Sequence, residues 1–206
     1  MRYLKLFEDW KEKKERLHGA EHEVYPVKHD PNRVYKVGDK SSIMKWAPLF
    51  KKYPEIFPYV YRIAPLKQKI NTGFSSIANM SDPYYAEVEK LDDKKAQLEY
   101  EKLKTDMYNS DVHTLYGSKF DRDDVHLDDV FRDCLKSENF YNNVENFLKD
   151  KECHDTFIKW FEFIKKANEV IEPLKKDGGG TGIIIDIHSG KNFGYDKSGK
   201  LKCLDI

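Results

Sequence analysis

The stretch GIIIDIHSGKNFGYDKSGKLKCLDI, residues 182–206, decides how the rest of the chain is read. Three consecutive isoleucines, Ile183 to Ile185, suit a buried strand that would deliver Asp186 at its end. Asn192 follows in a glycine-containing loop. NFGYD and KLKCLDI then read as two short strands joined by a DKSG turn, with Asp205 at the end of the second. Two carboxylates and an amide converging from strand ends are hard oxygen ligands. They suit magnesium plus a phosphate, because magnesium is held by few carboxylates and completed by waters and phosphates. The turn brings the last two strands together, so Asn192 and Asp205 can face one ion. The other reading is local: Asp186 and Asp205 cap strands and Asn192 stabilises a turn, as Asn, Asp and Gly do for their own backbone reasons.

Upstream, KECHDTFIKWFEFIKKANEVIEPL spaces Phe157, Phe161, Ile164, Asn168 and Ile171 as one face of a long helix, and the KKDGGG run at 175–180 breaks it. LDDVFRDCLKS puts Leu127, Val130, Phe131 and Cys134 on one helical face, and LDDKKAQLEYEKLKTDMY does so with Leu91, Leu98, Leu103 and Met107. Before Asp92 the character is β-rich. EHEVYPVKHDPNRVYKVG reads as a hairpin over about 21–37, split at Asp30-Pro31-Asn32. YVYRIAPLKQKI and DPYYAEVEKLD read as two more strands on either side of a Gly/Ser/Asn-rich loop. Between these pairs, Ser41 to Lys52 predicts a short helix capped by Ser41 or Ser42 and stopped by Pro54 and Pro58. At the start, Tyr3, Phe7, Trp10 and Leu17 fall near one face of an amphipathic helix that Gly19 ends. The order is α+β, with two unequal halves and a boundary near Leu91.

Composition bounds the rest. Lys plus Arg and Asp plus Glu balance at 36 each, so nothing global favours nucleic acid or an anionic membrane as partner. The three cysteines are far apart and form no CxxC pair, which argues against a disulfide frame or zinc knuckle. MRYLKLFEDWKEKKERL is too charged for a signal peptide, and no run reaches the ~18 apolar residues of a membrane span, so a cytoplasmic chain (host cytoplasm, if viral) is expected. His18 and His22 are four apart but separated by Gly19, a poor helical metal pair. His188 either shapes its turn or meets phosphate. Cys203 suits buried core, and Trp160, Phe161 and Phe163 suit helix packing better than base stacking.

Lys36, in RVYKVG, is flanked by Val34 and Val37. A lysine in a β-branched strand either points outward into water or inward at something anionic. Taken with the terminal stretch, it resembles the protein-kinase-like fold, whose template sets a lysine on the third strand, an Asp in H-R-D-x-x-x-x-N and a metal-binding Asp downstream. Three blocks carry the resemblance, which is to bacteriophage-encoded protein kinases and the kinase domains of phage polyvalent proteins. They are GAEHEVYPVKHDPNRVYKVG (19–38), YYAEVEKLDD (84–93) and DIHSGKNFGYDKSGKLKCLDI (186–206).

The resemblance implies a single bilobal unit over 1–206. A small β-rich N-lobe with a leading helix would occupy 1–90. A truncated, mostly helical C-lobe would occupy 91–206, ending in a β hairpin with the catalytic-loop segment at 182–206. It implies that Lys36 contacts the ATP phosphates beneath a reduced glycine loop, Gly19 to Val24. Val88 to Leu91 would be the hinge, with Glu89 and Leu91 meeting adenine. Asp186 would orient or deprotonate the acceptor hydroxyl, and Asn192 and Asp205 would hold magnesium. The Asn192-to-Asp205 interval, 205 − 192 = 13, matches the fold. The implied activity is transfer of the ATP γ-phosphate to a protein hydroxyl. A degenerate pseudokinase module that binds a host or partner protein, and a small-molecule kinase, are the alternatives.

The pattern also departs from the template. Asp186 to Asn192 spans 192 − 186 = 6 residues rather than five, Lys191 being the extra one. Ile184 and Ile185 replace His and Arg, and only Gly19 remains of the glycine loop. SSIMKWAPLFKK has no acid to pair with Lys36, Glu55 coming after Pro54. No activation loop or lower helical lobe follows Asp205 in this sequence.

Overall fold

A computed structural model describes residues 17–18, 23–66, 81–117, 126–176, 187 and 190–204. The chain is mixed α and β, and it divides into two compact units, Met1–Leu91 and Asp92–Ile206. Among the described residues no helix is long and apolar enough to cross a membrane.

The first unit is built on an antiparallel sheet. Strands β1 (Leu17–His18), β2 (Glu23–Val27), β3 (Asp30–Asp39), β4 (Val60–Pro65) and β5 (Pro83–Glu89) lie in the order β1-β2-β3-β5-β4. Leu17, expected at the end of a helix, instead pairs with Val24 in β1, because main-chain bonding to the edge of β2 claims it. The remainder of the expected leading helix lies outside the described residues.

β2 and β3 form the expected hairpin, but Lys28 and His29 make the turn, since Val27 already pairs with Asp30. Asp30-Pro31-Asn32 is the start of β3. The register shifts between Pro26 and Val27, so Pro31 to Arg33 oppose no residue of β2. A proline, which has no N–H to give a ladder, is tolerated at such a bulge. The Asp30 carboxylate fixes the bulge by accepting from the Asn32 backbone N–H at 2.9 Å and pairing with Arg33 Nε at 2.8 Å.

Helix α1 (Lys40–Lys52) follows β3 directly. Ile43, Trp46, Ala47 and Phe50 recur at i, i+3, i+4 and i+7 and bury one stripe against β3, β4 and β5. Neither serine caps it. Asp39 takes the cap position without a side-chain bond, and the Lys40 N–H is satisfied by the Asp82 carbonyl at 2.8 Å. Pro48 lies on the exposed side of the helix. The opposite face of the sheet buries Tyr25, Tyr35, Val37 and Leu66, with Tyr85 edge-on to Tyr35 at 5.4 Å. Covered on both faces, β3 is buried continuously from Val34 to Gly38.

The second unit is mostly helical. It contains α2 (Asp93–Asn109), a 3-10 turn (Val112–Tyr116), α3 (Leu127–Lys136), α4 (Glu138–Leu148) and α5 (His154–Lys176). A second 3-10 turn (Gly190–Asn192) leads into the hairpin β6 (Phe193–Tyr195) and β7 (Leu201–Cys203). Asp92 caps α2 through the Lys95 N–H at 2.9 Å, and Ser137 caps α4 through the Phe140 N–H at 3.2 Å. The expected faces of α3 and α5 are the buried ones, joined on α5 by Trp160 and Ala167, while Asn168 is only half-buried. On α2 the expectation fails at Leu98, which is 72% exposed. Leu103 and Met107 are buried as expected, joined by Ala96 and Tyr100. Phe131 stacks on Phe157 at 5.5 Å, and Trp160 meets Tyr100 at 5.2 Å and Phe193 at 5.1 Å.

Candidate functional site

In the first unit, Lys36 sits in mid-strand, paired with Val24 on one side and Ala86 on the other. Strand periodicity puts it on the same face as Val34 and Gly38, the face that α1 covers. It is buried, at 8% exposure, and its ammonium lies over the Trp46 ring at 5.2 Å and the Phe50 ring at 5.8 Å. Of the two orientations open to a strand lysine, the inward one is observed. Phe50 stacks in turn on Phe57 at 4.5 Å, which fixes the inner end of this aromatic shelf. α1 carries no acid, and Glu55 is exposed in the turn after it.

Glu89 ends β5. Its N–H donates to the Tyr59 carbonyl at 2.8 Å, and its carboxylate accepts from the Tyr59 N–H at 3.2 Å. The Lys90 N–H goes to the Asn32 carbonyl at 2.8 Å, and Leu91 is buried. The segment expected to meet adenine is thus a tethered strand end. Gly19, the glycine-loop residue, lies outside the described residues, in the 19–22 connection between β1 and β2.

In the second unit, Phe193 pairs with Cys203, Gly194 with Lys202 and Tyr195 with Leu201. The ladder extends by one bond, since the Leu204 N–H donates to the Asn192 carbonyl at 2.7 Å. The register therefore sets Asn192 opposite Leu204, one residue before Asp205 in the chain. Asp205 and Asp186 both lie outside the described residues, as does His188. The DKSG turn forms as expected. Gly199 adopts φ +79°, where a glycine is favoured, and one Asp196 oxygen accepts from the Ser198 N–H, the Ser198 hydroxyl and the Lys200 N–H. Burial opposes the charge on Asp196, but these bonds and Lys202, 3.5 Å away, hold its carboxyl below the ordinary value.

Gly190, Lys191 and Asn192 form a 3-10 turn, with Lys191 exposed. Gly190 is required there. A Cβ would come within 2.7 Å of Tyr100 Cβ and 2.9 Å of the Gln97 Cα, so this turn rests directly on the backbone of α2. Two further ties hold it. The Tyr100 hydroxyl donates to the Ile187 carbonyl at 2.5 Å, and Asp92 exchanges both main-chain bonds with Tyr195.

A cluster that sequence reasoning missed lies beside the hairpin. One oxygen of Glu99 accepts from Trp160 Nε1 at 2.7 Å and the Tyr195 hydroxyl at 2.5 Å, and pairs with Lys159. Burial works against the Glu99 carboxylate, yet these three donors hold it below its ordinary value. The same burial, followed by the bond to Glu99, pushes the Tyr195 hydroxyl well up. Lys95 and Lys159 flank the Tyr195 ring at 4.9 and 5.1 Å. The cluster joins α2, α5 and β6 and serves architecture. Nothing in the local sequence marks Glu99, an acid on a helix with many charged residues.

A cavity of about 550 Å³ lies between α2, the first 3-10 turn and α3. Met107, Val112, Leu127 and Val130 line its floor, with His113 and His126 also among its walls. No protein-family model, curated protein or solved structure matches the chain.

Proposed function

We propose that the chain is a compact, magnesium-dependent, kinase-like phosphotransferase that moves the γ-phosphate of ATP to a protein hydroxyl in the cytoplasm. The observation that carries this reading is Lys36. It is a buried cation on the third strand of an antiparallel sheet, on the face covered by the helix that follows that strand. Burying an ammonium is costly, so such a lysine is retained for an anionic task. The pairing of β1 with β2 around residues 19–22 supports it, because the family's phosphate loop joins its first two strands. The Asn192–Leu204 bond supports it too, since it extends the hairpin ladder to Asn192, opposite the residue that precedes Asp205 in the chain.

In this reading Lys36 neutralises the ATP phosphates, and Glu89 and Leu91 border the base. Asn192 and Asp205 would hold magnesium, which supplies charge neutralisation at the phosphates when bound. The bond from the γ-phosphorus to its bridging oxygen breaks, a bond to the acceptor hydroxyl oxygen forms, and ADP leaves. The hydroxyl proton passes to Asp186. Little covalent work falls to the protein, so positioning and electrostatics supply the rate.

A second reading is a pseudokinase module that occupies a partner protein; it draws support from α1, whose charged residues are all lysines. Nucleotide binding separates the two. Magnesium-ATP at about 100 times its Kd stabilises a binder by about 2.7 kcal/mol. For a chain of this size that raises Tm by roughly 5–10 °C. No shift at millimolar magnesium-ATP removes the enzyme reading. If the shift appears, labelled ATP with cell lysate reports the acceptor class, and Asp186→Ala is expected to abolish labelling while keeping the shift. Labelling that persists in Asp186→Ala overturns the role given to that residue.

A further inference from the structure

We propose that the outer face of α1 is a docking surface for an acidic protein segment, with Met44 and Pro48 at its centre and Lys40, Lys45, Lys51 and Lys52 around them. This face is turned away from the sheet, so the inference stands apart from Lys36 and from any nucleotide. Ile43, Trp46, Ala47 and Phe50 bury the inner stripe of the helix, and the rest of its surface carries four lysines and no acid. From Lys40 to Pro54 the chain holds no carboxylate side chain, in a protein whose charges balance at 36 each. Residues three or four apart on a helix are surface neighbours. Met44 therefore stands beside Lys40 and Pro48, and Pro48 beside Lys45, Lys51 and Lys52, all of them exposed. Met44 is 46% exposed, unusual for so apolar a side chain in mid-helix. A cavity of about 360 Å³ lies beside it, between the start of α1 and Ser81–Asp82, and gives relief for a partner's side chain.

The needs of the helix itself do not account for this surface. Cations in the last turn answer the helix dipole, which explains Lys51 and Lys52. Lys40, however, stands in the first turn, at the positive end, and Lys45 in the middle. None of the four has an acid three or four residues away on α1. Lys40 meets Asp82 at 3.7 Å, and among the described residues neither Lys45 nor Lys51 has an ion-pair partner. Like charges held together repel, and opposite charge on a partner relieves the repulsion and steers its approach. An apolar centre within a charged rim is the anatomy of a protein interface, and methionine adapts to what it meets. The chemistry favours protein over other polyanions. α1 offers no arginine to fork onto a phosphate and no exposed ring to stack on a base. Its apolar stripe is packed on the sheet and so cannot enter a bilayer.

The test uses the full chain labelled with ¹³C at the methionine methyls, and a fluorescent peptide of glutamates around a central Leu-Phe pair. The Met44 methyl, identified by its loss in Met44→Leu, is expected to shift as the peptide saturates, while the buried Met107 methyl stays in place. By fluorescence anisotropy, Lys45→Glu with Lys51→Glu is expected to raise Kd at least about tenfold, and added salt to weaken binding. Lys165→Glu with Lys166→Glu, two exposed lysines of α5, is expected to change Kd less than about twofold. A glutamate peptide without the Leu-Phe pair is expected to bind roughly tenfold more weakly. The magnesium-ATP shift tests the kinase reading alone, so either can fail while the other stands. No saturable binding, or a Met44 methyl that does not move in the unsubstituted protein, overturns the proposal without requiring any variant to fold. So does an equal loss on reversing the α5 lysines. Tighter binding to vesicles of phosphatidylcholine and phosphatidylserine, or to an oligothymidylate, overturns it in favour of a membrane or nucleic-acid surface.

Discussion

Lys36 and Glu99 are both charged, and the fold houses them differently. Lys36 is seated on ring faces, whereas Glu99 is saturated by three donors on one oxygen. The Glu99 network makes a pH prediction. Its folded carboxyl titrates below the ordinary value of 4.5, so ionised Glu99 stabilises the fold. That contribution is complete above the unfolded value and is lost as pH falls through the lower, folded one. Urea melts of the wild type and Glu99→Gln are therefore expected to differ by a constant amount from about pH 7 to about pH 5.5, and to converge below about pH 4.5. Asp196, also shifted down, titrates alike in both proteins and cancels from the difference. A gap that persists undiminished to about pH 3 rules this out.

At the scale of elements, the close approach of the Gly190–Asn192 turn to α2 fixes the base of the terminal hairpin. The atoms a Cβ would strike at Gly190 include the Gln97 backbone, which cannot rotate aside. Gly190→Ala is expected to cost about 1–3 kcal/mol by overpacking, read as a lower urea midpoint followed by tryptophan fluorescence. An unchanged midpoint would mean that the turn can lift off the helix. Legibility varied from element to element for the same kind of reason. The stripes of α3 and α5 were readable because the buried faces are apolar at most positions, Asp128 of α3 being the charged exception. On α2 the spacing of leucines misled, since Leu98 is exposed while Tyr100 points inward to reach the Ile187 carbonyl. That partner lies 87 residues away, and no local pattern encodes it. The capping serines of α1 failed likewise, because a carbonyl from Asp82, across a long connection, supplied the bond.

For the whole molecule, the chain's three thiols all lie in the second unit and all are buried. Burial, with Asp133 alongside, pushes Cys134 up to about 12, and burial also raises Cys153. A thiol that is both covered and protonated does not react. Ellman's reagent is thus expected to find no reactive thiol in the native chain and three in guanidinium, with Tm indifferent to reductant. Even one fast native thiol would contradict the burial of Cys134 in α3, of Cys153 just before α5 or of Cys203 in β7.

What the sequence determined by itself was the local grammar. It specified a strand pair around Asp196–Gly199, a lysine within a Val-rich strand, helices wherever apolar residues recur at 3.6, and an interval of 13 between Asn192 and Asp205. Each follows from chemistry within a few residues of itself. What only the tertiary structure decided was orientation. Val34 and Val37 flank Lys36 with opposite parity, so both faces of β3 read as apolar and the strand could not say which way the lysine points. The choice was made by α1, which lays Trp46 and Phe50 over one face, and by Tyr25, Tyr35 and Val37, which fill the other. A buried ammonium is tolerable only over the face that can stabilise its charge.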